Sequence, residues 1–118
     1  MACIRDFGFL VTAKDYFSEE KRDAASIVRM VEDGIPAFRL ANASKDGRYQ
    51  IEKTILSDPD RNVVLQDILF EPLVGNLSDY ALHALVAPHL VNSGSANTAW
   101  YGDYKGIRCY LRRGAAQH

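Results

Sequence analysis

The chain has 118 residues, of which 47% are hydrophobic and 25% are charged, and its net charge is -1. This composition is typical of one globular domain or of a piece of one. Because phosphate backbones and anionic lipids are bound by clustered Lys and Arg, the near-zero charge predicts no nucleic acid and no membrane as partner. The composition does not indicate a compartment.

Short apolar runs separated by turn residues follow one another along the chain. In the first run Phe7, Phe9 and Val11 stand at every second position, the period expected of a strand with one covered face. The same pattern predicts six strands, at residues 5–12, 26–31, 37–42, 49–56, 63–70 and 80–86. Gly, Asn, Asp or Pro occupy the turns between them. This regular spacing predicts an all-β fold with an antiparallel sheet.

Two segments also fit a helix. Ser18 could cap one, with two glutamates in its first turn and apolar residues at 24, 27, 28 and 31 on one face. Ser78 could do the same ahead of apolar residues at 81, 84 and 85. The pattern alone leaves both strand and helix open for these segments.

One long stretch resembles a known family. It comprises the run DGRYQIEKTILSDPDR at 46–61, the apolar run that follows, and the loop APHLVNSG at 87–94. These residues resemble the N-terminal β-sandwich domain of bacterial glucoamylases and glucodextranases. In that family a strand ending in Ser/Thr-Asp-Pro precedes another apolar strand, and a later loop reads Asp-Pro-x-Leu-Asn-Asn-Ser-Gly. Ala87 and Val91 replace an Asp and an Asn of that loop.

The resemblance covers most of residues 2–106 and implies a part of an enzyme. It implies an antiparallel super-sandwich related to the galactose mutarotase fold, with strands at both segments that also fit a helix. It further implies a non-catalytic domain fragment of an α-glucan hydrolase, which supports the catalytic (α/α) barrel of the parent enzyme. Because the catalytic glutamates of the family lie in that barrel, we expect no catalytic residue, no metal and no cofactor in this chain.

The two ends differ from the family. Strands that come first in the family are missing, so we interpret residues 1–106 as a fragment of the domain. Residues 107–118 do not match, whereas a one-base shift of plausible codons gives a segment that does, and we interpret them as an atypical, frame-shifted tail. Because a truncated sandwich has unpaired strand edges, we expect a homo-oligomer formed through open edges, or a tail that supplies a substitute strand.

The acidic residues do not predict a hydrolytic site. Cleavage of a glycosidic bond needs two carboxyl groups about 5–9.5 Å apart. Asp58 and Asp60 flank a proline and are predicted to form a turn in which carboxylates accept local backbone hydrogen bonds. Glu19, Glu20 and Glu32 are interpreted as solvated surface.

The histidines and cysteines likewise indicate structural roles. His83 lies in a predicted, otherwise apolar strand and is interpreted as a hydrogen-bonded structural histidine. His89 and His118 lie in a loop and in the tail, with no partner at metal-ligand spacing. Cys3 and Cys109 are interpreted as free thiols, and one long-range disulfide between them stays an alternative.

A sugar-contacting role is the rival prediction. Aromatic rings and hydrogen-bonding side chains, the groups that sugar sites use, cluster at Asn92, Ser93, Asn97, Trp100, Tyr101, Asp103 and Tyr104. The candidate carbohydrate-binding residues are Asn92, Asn97, Trp100 and Tyr101, which would make the chain an autonomous module recognising α-glucans. Alternatively, Trp100 and Tyr101 pack inside the sandwich or against the barrel. Arg5 and Asp6 match an Arg-Asp pair of the family and are predicted to form a domain contact or a structural ion pair.

Overall fold

The structure is a computed structural model that describes residues 4–61, 63–89 and 98–113, with backbone alone described at 104 and 109–113. The described strands are β1 (Ile4–Ala13), β2 (Tyr16–Glu19), β3 (Ala24–Met30), β4 (Ala37–Ser44), β5 (Tyr49–Ser57), β6 (Val64–Pro72), β7 (Ala81–Pro88), β8 (Thr98–Tyr104) and β9 (Ile107–Arg113). One helical turn, α1 (Glu20–Asp23), follows β2, and one 3₁₀ turn, Leu77–Asp79, precedes β7. No helix in these described ranges is long and apolar enough to cross a membrane.

The strands form antiparallel sheets. One sheet has the order β3-β4-β5-β6, a second has the order β2-β1-β7, and β8 pairs with β9 in a hairpin. The chain divides into two compact units, Phe9–His83 and a second that combines Met1–Gly8 with Ala84–His118. The all-β, antiparallel prediction is confirmed. β9 lies in the predicted tail, and the reading of that tail as frame-shifted stays a prediction.

All six predicted strands are present, each within about two residues of its predicted ends. β2 and β8 were not predicted from the sequence pattern. The helix alternative at Ser18 is wrong beyond the single turn of α1, which Glu19 precedes without a side-chain cap. The helix alternative at Ser78 is wrong as well, because Ser78 lies inside the 3₁₀ turn and an extended strand follows it.

The core of the Phe9–His83 unit lies on one face of β5. Because side chains alternate along a strand, Tyr49 and Ile51 share this face, and both are fully buried together with Val11 of β1. Phe70 lies opposite Ile51 in the register of β5 and β6, and its ring stacks 5.7 Å from that of Tyr49. Burying each such side chain contributes about 1.5–3 kcal/mol.

Gly75 lies just before the 3₁₀ turn that leads into β7, at a position where glycine is required. Its φ is +77°, and a Cβ at this position would lie 2.9 Å from Oδ2 of Asp79. That oxygen accepts the backbone N–H of Asn76 at 2.8 Å and so closes the capping box of the 3₁₀ turn. A side chain at position 75 would therefore strain the backbone and displace the cap.

Candidate functional site

The β8–β9 hairpin carries the described part of the candidate sugar-contacting segment. Its turn residues, Lys105 and Gly106, have φ values of +51° and +80°, as in the type I′ turn that favours tight hairpins. This turn sets a register in which Asp103 lies opposite Arg108, and Tyr101 lies opposite Tyr110.

A depression of about 450 Å³ lies on one side of this hairpin, lined by Tyr101, Gly102, Asp103 and Arg108. Tyr101 and Asp103 are two residues apart on β8 and therefore share a face. The Tyr101 side chain is 76% exposed. A ring beside a carboxylate and a guanidinium is a combination that can stack on a sugar and bond its hydroxyl groups.

Trp100 belongs to the other face of β8. Consecutive strand residues point to opposite sides, so Trp100 and Tyr101 cannot form one stacking platform. Trp100 is 44% exposed, which fits neither full burial nor an open platform. Asn92 and Asn97 lie outside the described residues. The predicted carbohydrate-binding set stays a prediction. Arg108 also lines the depression, although from the sequence it was interpreted only as part of the tail.

Arg5 and Asp6 lie near the start of β1. The Arg5 side chain is exposed and that of Asp6 is half-buried. As neighbours on a strand they project to opposite faces, which disfavours an ion pair between the two. Their role as a domain contact stays a prediction.

Two predicted structural roles are confirmed by contacts. Oδ1 of Asp58 accepts hydrogen bonds from the backbone N–H groups of Asp60 and Arg61 at 2.9 and 3.1 Å. Nε2 of His83 lies 3.0 Å from Oγ1 of Thr12, within hydrogen-bonding distance. No group of metal-ligating side chains occurs in the described ranges.

A second cleft, of about 380 Å³, lies where β2 and α1 meet the β4–β5 turn. Its lining combines aromatic and charged side chains: Tyr16, Phe17, Ser18, Arg22, Asp23, Lys45 and Asp46. Arg22 donates two hydrogen bonds to Asp23, at 2.8 and 2.9 Å, and Lys45 donates to the Arg22 carbonyl. The Arg22 hydrogen bonds, with one from the Glu19 N–H, lower the pKa of Asp23 to about 2. Arg22, Asp23 and Lys45 are thus linked to one another within the lining of this cleft.

The Tyr16 phenol lines the same cleft. Its oxygen is buried and has no hydrogen-bond partner among the described residues. Burial is the main cause that raises the pKa of Tyr16 to about 12, and the neighbouring Asp46 carboxylate adds to it. The ring packs under Arg48, whose guanidinium lies 4.5 Å from the ring centroid. Tyr16 is therefore a neutral packing residue at physiological pH.

Glu20, interpreted from the sequence as solvated surface, is buried. Its side chain is 3% exposed, and each carboxylate oxygen lies 2.6 Å from Nζ of Lys53, which is itself 7% exposed. Asn42 also donates to Oε1 of Glu20, and the Lys53 ammonium lies 4.8 Å from the centroid of the Phe9 ring. The prediction was wrong for Glu20 because α1 turns this side chain onto the face of the sheet that carries Lys53. Glu20 and Lys53 therefore form an internal ion pair.

Comparison with known proteins gives the family. The sequence model described as "Glucodextranase, domain N" matches residues 1–114. The chain belongs to the glucodextranase domain N family. A glucoamylase from Clostridium sp. (strain G0005) is 36% identical to it over 100 residues, which are 84% of this chain and 14% of the relative.

A solved structure supports the same family at the level of the fold. The crystal structure of a bacterial glucoamylase complexed with acarbose matches 94% of this chain with a TM-score of 0.89 and 31% identity. The resemblance inferred from the sequence and the β-sandwich fold class are thereby confirmed. This domain N chain spans between about one seventh and one sixth of the matched glucoamylases, since the matches cover 14% of the Clostridium protein and 17% of the crystallised chain.

Proposed function

We propose that this chain acts as a non-catalytic N-terminal domain of an α-glucan hydrolase and supports the catalytic (α/α) barrel of the parent enzyme. The observation that carries the proposal is the extent of the two matches. Nearly the whole chain corresponds to only 14–17% of two glucoamylases, and the matching family is named as a domain. The remainder of such an enzyme is available to carry the chemistry.

The side-chain contacts support a non-catalytic role. Asp58 is engaged by backbone N–H groups, and Glu20 is neutralised by Lys53. Hydrolysis requires one carboxyl group that is free to donate a proton and another that can act as nucleophile or base. The buried Glu20, held by Lys53, is not available for either role.

The first test uses the chain alone with maltooligosaccharides. We expect no release of glucose above that of a buffer blank, measured by a coupled glucose assay. Release that disappears in Asp58→Asn would contradict the proposal.

The supporting role is tested in the Clostridium glucoamylase. One variant lacks the 100 matched residues and a second carries this chain in their place. We expect the chimera to release glucose and to withstand heating much longer than the deletion variant, measured as half-lives of thermal inactivation. A deletion variant with the same half-life of thermal inactivation as the parent enzyme would contradict the supporting role.

The Tyr101 depression favours a second candidate, a carbohydrate-binding module for α-glucans. Tyr101 would stack on a pyranose ring, while Asp103 and Arg108 would bond its hydroxyl groups. Titration with maltose or isomaltose, followed by NMR, tests this candidate. Saturable shifts that are lost in Tyr101→Ala and kept in Trp100→Ala would support it, because the two side chains lie on opposite faces. Unchanged spectra at millimolar sugar would contradict it.

A further inference from the structure

The outer face of the β3-β4-β5-β6 sheet has its charges segregated by strand. This face is opposite to the one that carries Tyr49 and Ile51. Its residues are Ile27 and Arg29 on β3, Val31 just after β3, Arg39 and Ala41 on β4, Glu52 and Thr54 on β5, and Leu65, Asp67, Leu69 and Glu71 on β6. The cations lie on β3 and β4, whereas the carboxylates lie on β5 and β6. The face therefore has one basic half and one acidic half.

Within one chain the basic half is unfavourable. Arg29 and Arg39 are directly opposite each other on neighbouring strands, an arrangement in which like charges repel. Both side chains are exposed, and neither forms an ion pair with another side chain that the structure describes. Residues that stand opposite one another across all four strands form a row, and Asp67 on β6 lies in the row of Arg29 and Arg39. It is three strands away from Arg29, which is too far for an ion pair. A partner that brings carboxylates to Arg29 would relieve this repulsion.

The large apolar residues of the face are exposed, as its charged residues are. Ile27 and Leu69 are each 60% exposed, and Val31 and Leu65 are half exposed. Register places Ile27 and Leu69 in one row, with Ile27 at the β3 end and Leu69 at the β6 end. The backbone N–H of Val31 bonds Ala37, which continues the register and puts Val31 level with Leu65.

These rows become complementary under a two-fold rotation. The axis runs parallel to the strands, above the outer face and midway between β4 and β5. It places β3 of one copy over β6 of the other, and every residue keeps its position along the strand direction. Arg29 then faces Asp67 of the second copy. Ile27 faces Leu69 and Val31 faces Leu65, again across the two copies. Such aligned packing of two sheets is a common arrangement in β-proteins.

The face is large enough for a specific contact. Four strands about 4.8 Å apart and eight residues at about 3.3 Å each give roughly 500 Å² per copy. Two copies would bury about 1,000 Å², which is about the minimum expected of a specific interface. From the charge segregation, the row-by-row match and this area, we infer that the outer face of the β3-β4-β5-β6 sheet binds a second copy of this chain as a two-fold symmetric dimer.

Charge reversal tests the dimer by sedimentation equilibrium of the full chain at micromolar concentrations. Arg29→Asp places two carboxylates against each other across the axis, and Asp67→Arg places two cations there. Each variant alone should dimerise at least tenfold more weakly than the unaltered chain. An equal mixture of the two should restore dimers, because each variant then faces the opposite charge of the other.

Matched controls lie in the β5–β6 turn, outside the face. Asp60→Arg and Arg61→Asp make the same changes in net charge and should leave dimerisation within twofold of the unaltered chain. Thermal unfolding followed by circular dichroism checks that every variant is folded. A monomer at all concentrations, a dimer that tolerates Arg29→Asp and Asp67→Arg, or a mixture that stays monomeric would each overturn the inference.

Discussion

The Phe9–His83 unit and the β8–β9 hairpin use their large side chains in opposite ways. In the first, Val11, Tyr49 and Ile51 are fully buried, and even a Glu–Lys pair is enclosed. In the hairpin, Trp100 and Tyr101 remain 44% and 76% exposed. A two-stranded hairpin gains little stability by itself, whereas a sheet with a covered face can be independently stable. Folding free energy is therefore expected to be concentrated in the first unit, and the hairpin offers side chains for contact.

The largest effect is expected from Glu20→Gln. The substitution leaves the buried Lys53 ammonium without its counter-charge, and breaking a buried pair in this way costs about 3–5 kcal/mol. The measurement is the free energy of unfolding in urea. Glu32→Gln, in the exposed turn between β3 and β4, is the control and should change it by less than about 0.5 kcal/mol. Equal effects of the two substitutions would contradict the enclosed pair.

A smaller loss is expected from Tyr49→Phe. The Tyr49 and Ser18 hydroxyl groups are 2.7 Å apart and share a buried hydrogen bond. Removing one hydroxyl leaves the other buried and unpaired, at a cost of about 1–2 kcal/mol. The matched substitution in the hairpin, Tyr101→Phe, should change the free energy of unfolding by less than about 0.5 kcal/mol. A reversal of this order would show that the hairpin contributes more stability than its exposure indicates.

Trp100→Ala should affect global unfolding still less. The contacts of a half-exposed residue in a hairpin break when the hairpin opens locally, before the whole chain unfolds. The global free energy of unfolding should therefore fall by less than about 1 kcal/mol. Native-state hydrogen exchange gives the accompanying pattern, with amides of β4 and β5 better protected than those of β8 and β9. A loss of about 3–5 kcal/mol, as for a buried Trp, would contradict the comparison.

The smallest effect concerns pH. The folded-state pKa of Asp23 lies near 2, below its usual 3.8, because of the Arg22 hydrogen bonds and then that of the Glu19 N–H. A lowered carboxyl pKa contributes stability that is fully present above about pH 4. That stability is lost as the pH falls from about 4 through about 2. NMR titration of the Asp23 carboxyl should show this pKa, and Arg22→Gln should raise it. Arg61→Gln, in the β5–β6 turn, should leave it unchanged.

Strand positions were predictable from the sequence because alternation and turn residues are local signals. β2 was missed because it has four residues, and the run Ser18-Glu19-Glu20, where β2 ends and α1 begins, also fits the start of a longer helix. β8 was missed because the aromatic and small residues around Gly102 fit a loop as well as a strand. In both cases tertiary pairing decides what local preference leaves open.

The contacts were less predictable than the strands. The Asp58 turn was predicted because an Asx turn involves residues two or three positions apart. The Glu20–Lys53 pair joins residues 33 positions apart, and it depends on the register between sheets and on the turn of α1. The same holds for Arg108, which reaches the Tyr101 depression only through the hairpin register.

Burial of Lys53 makes this amine a chemical reporter of opening. An acylating reagent needs a neutral, accessible amine, and it can reach Nζ of Lys53 only in molecules that have separated Glu20 from it. Lys14, exposed in the β1–β2 turn, reacts without any such opening. The ratio of the two acylation rates, read by mass spectrometry of peptides, thus reports the population of opened molecules under native conditions.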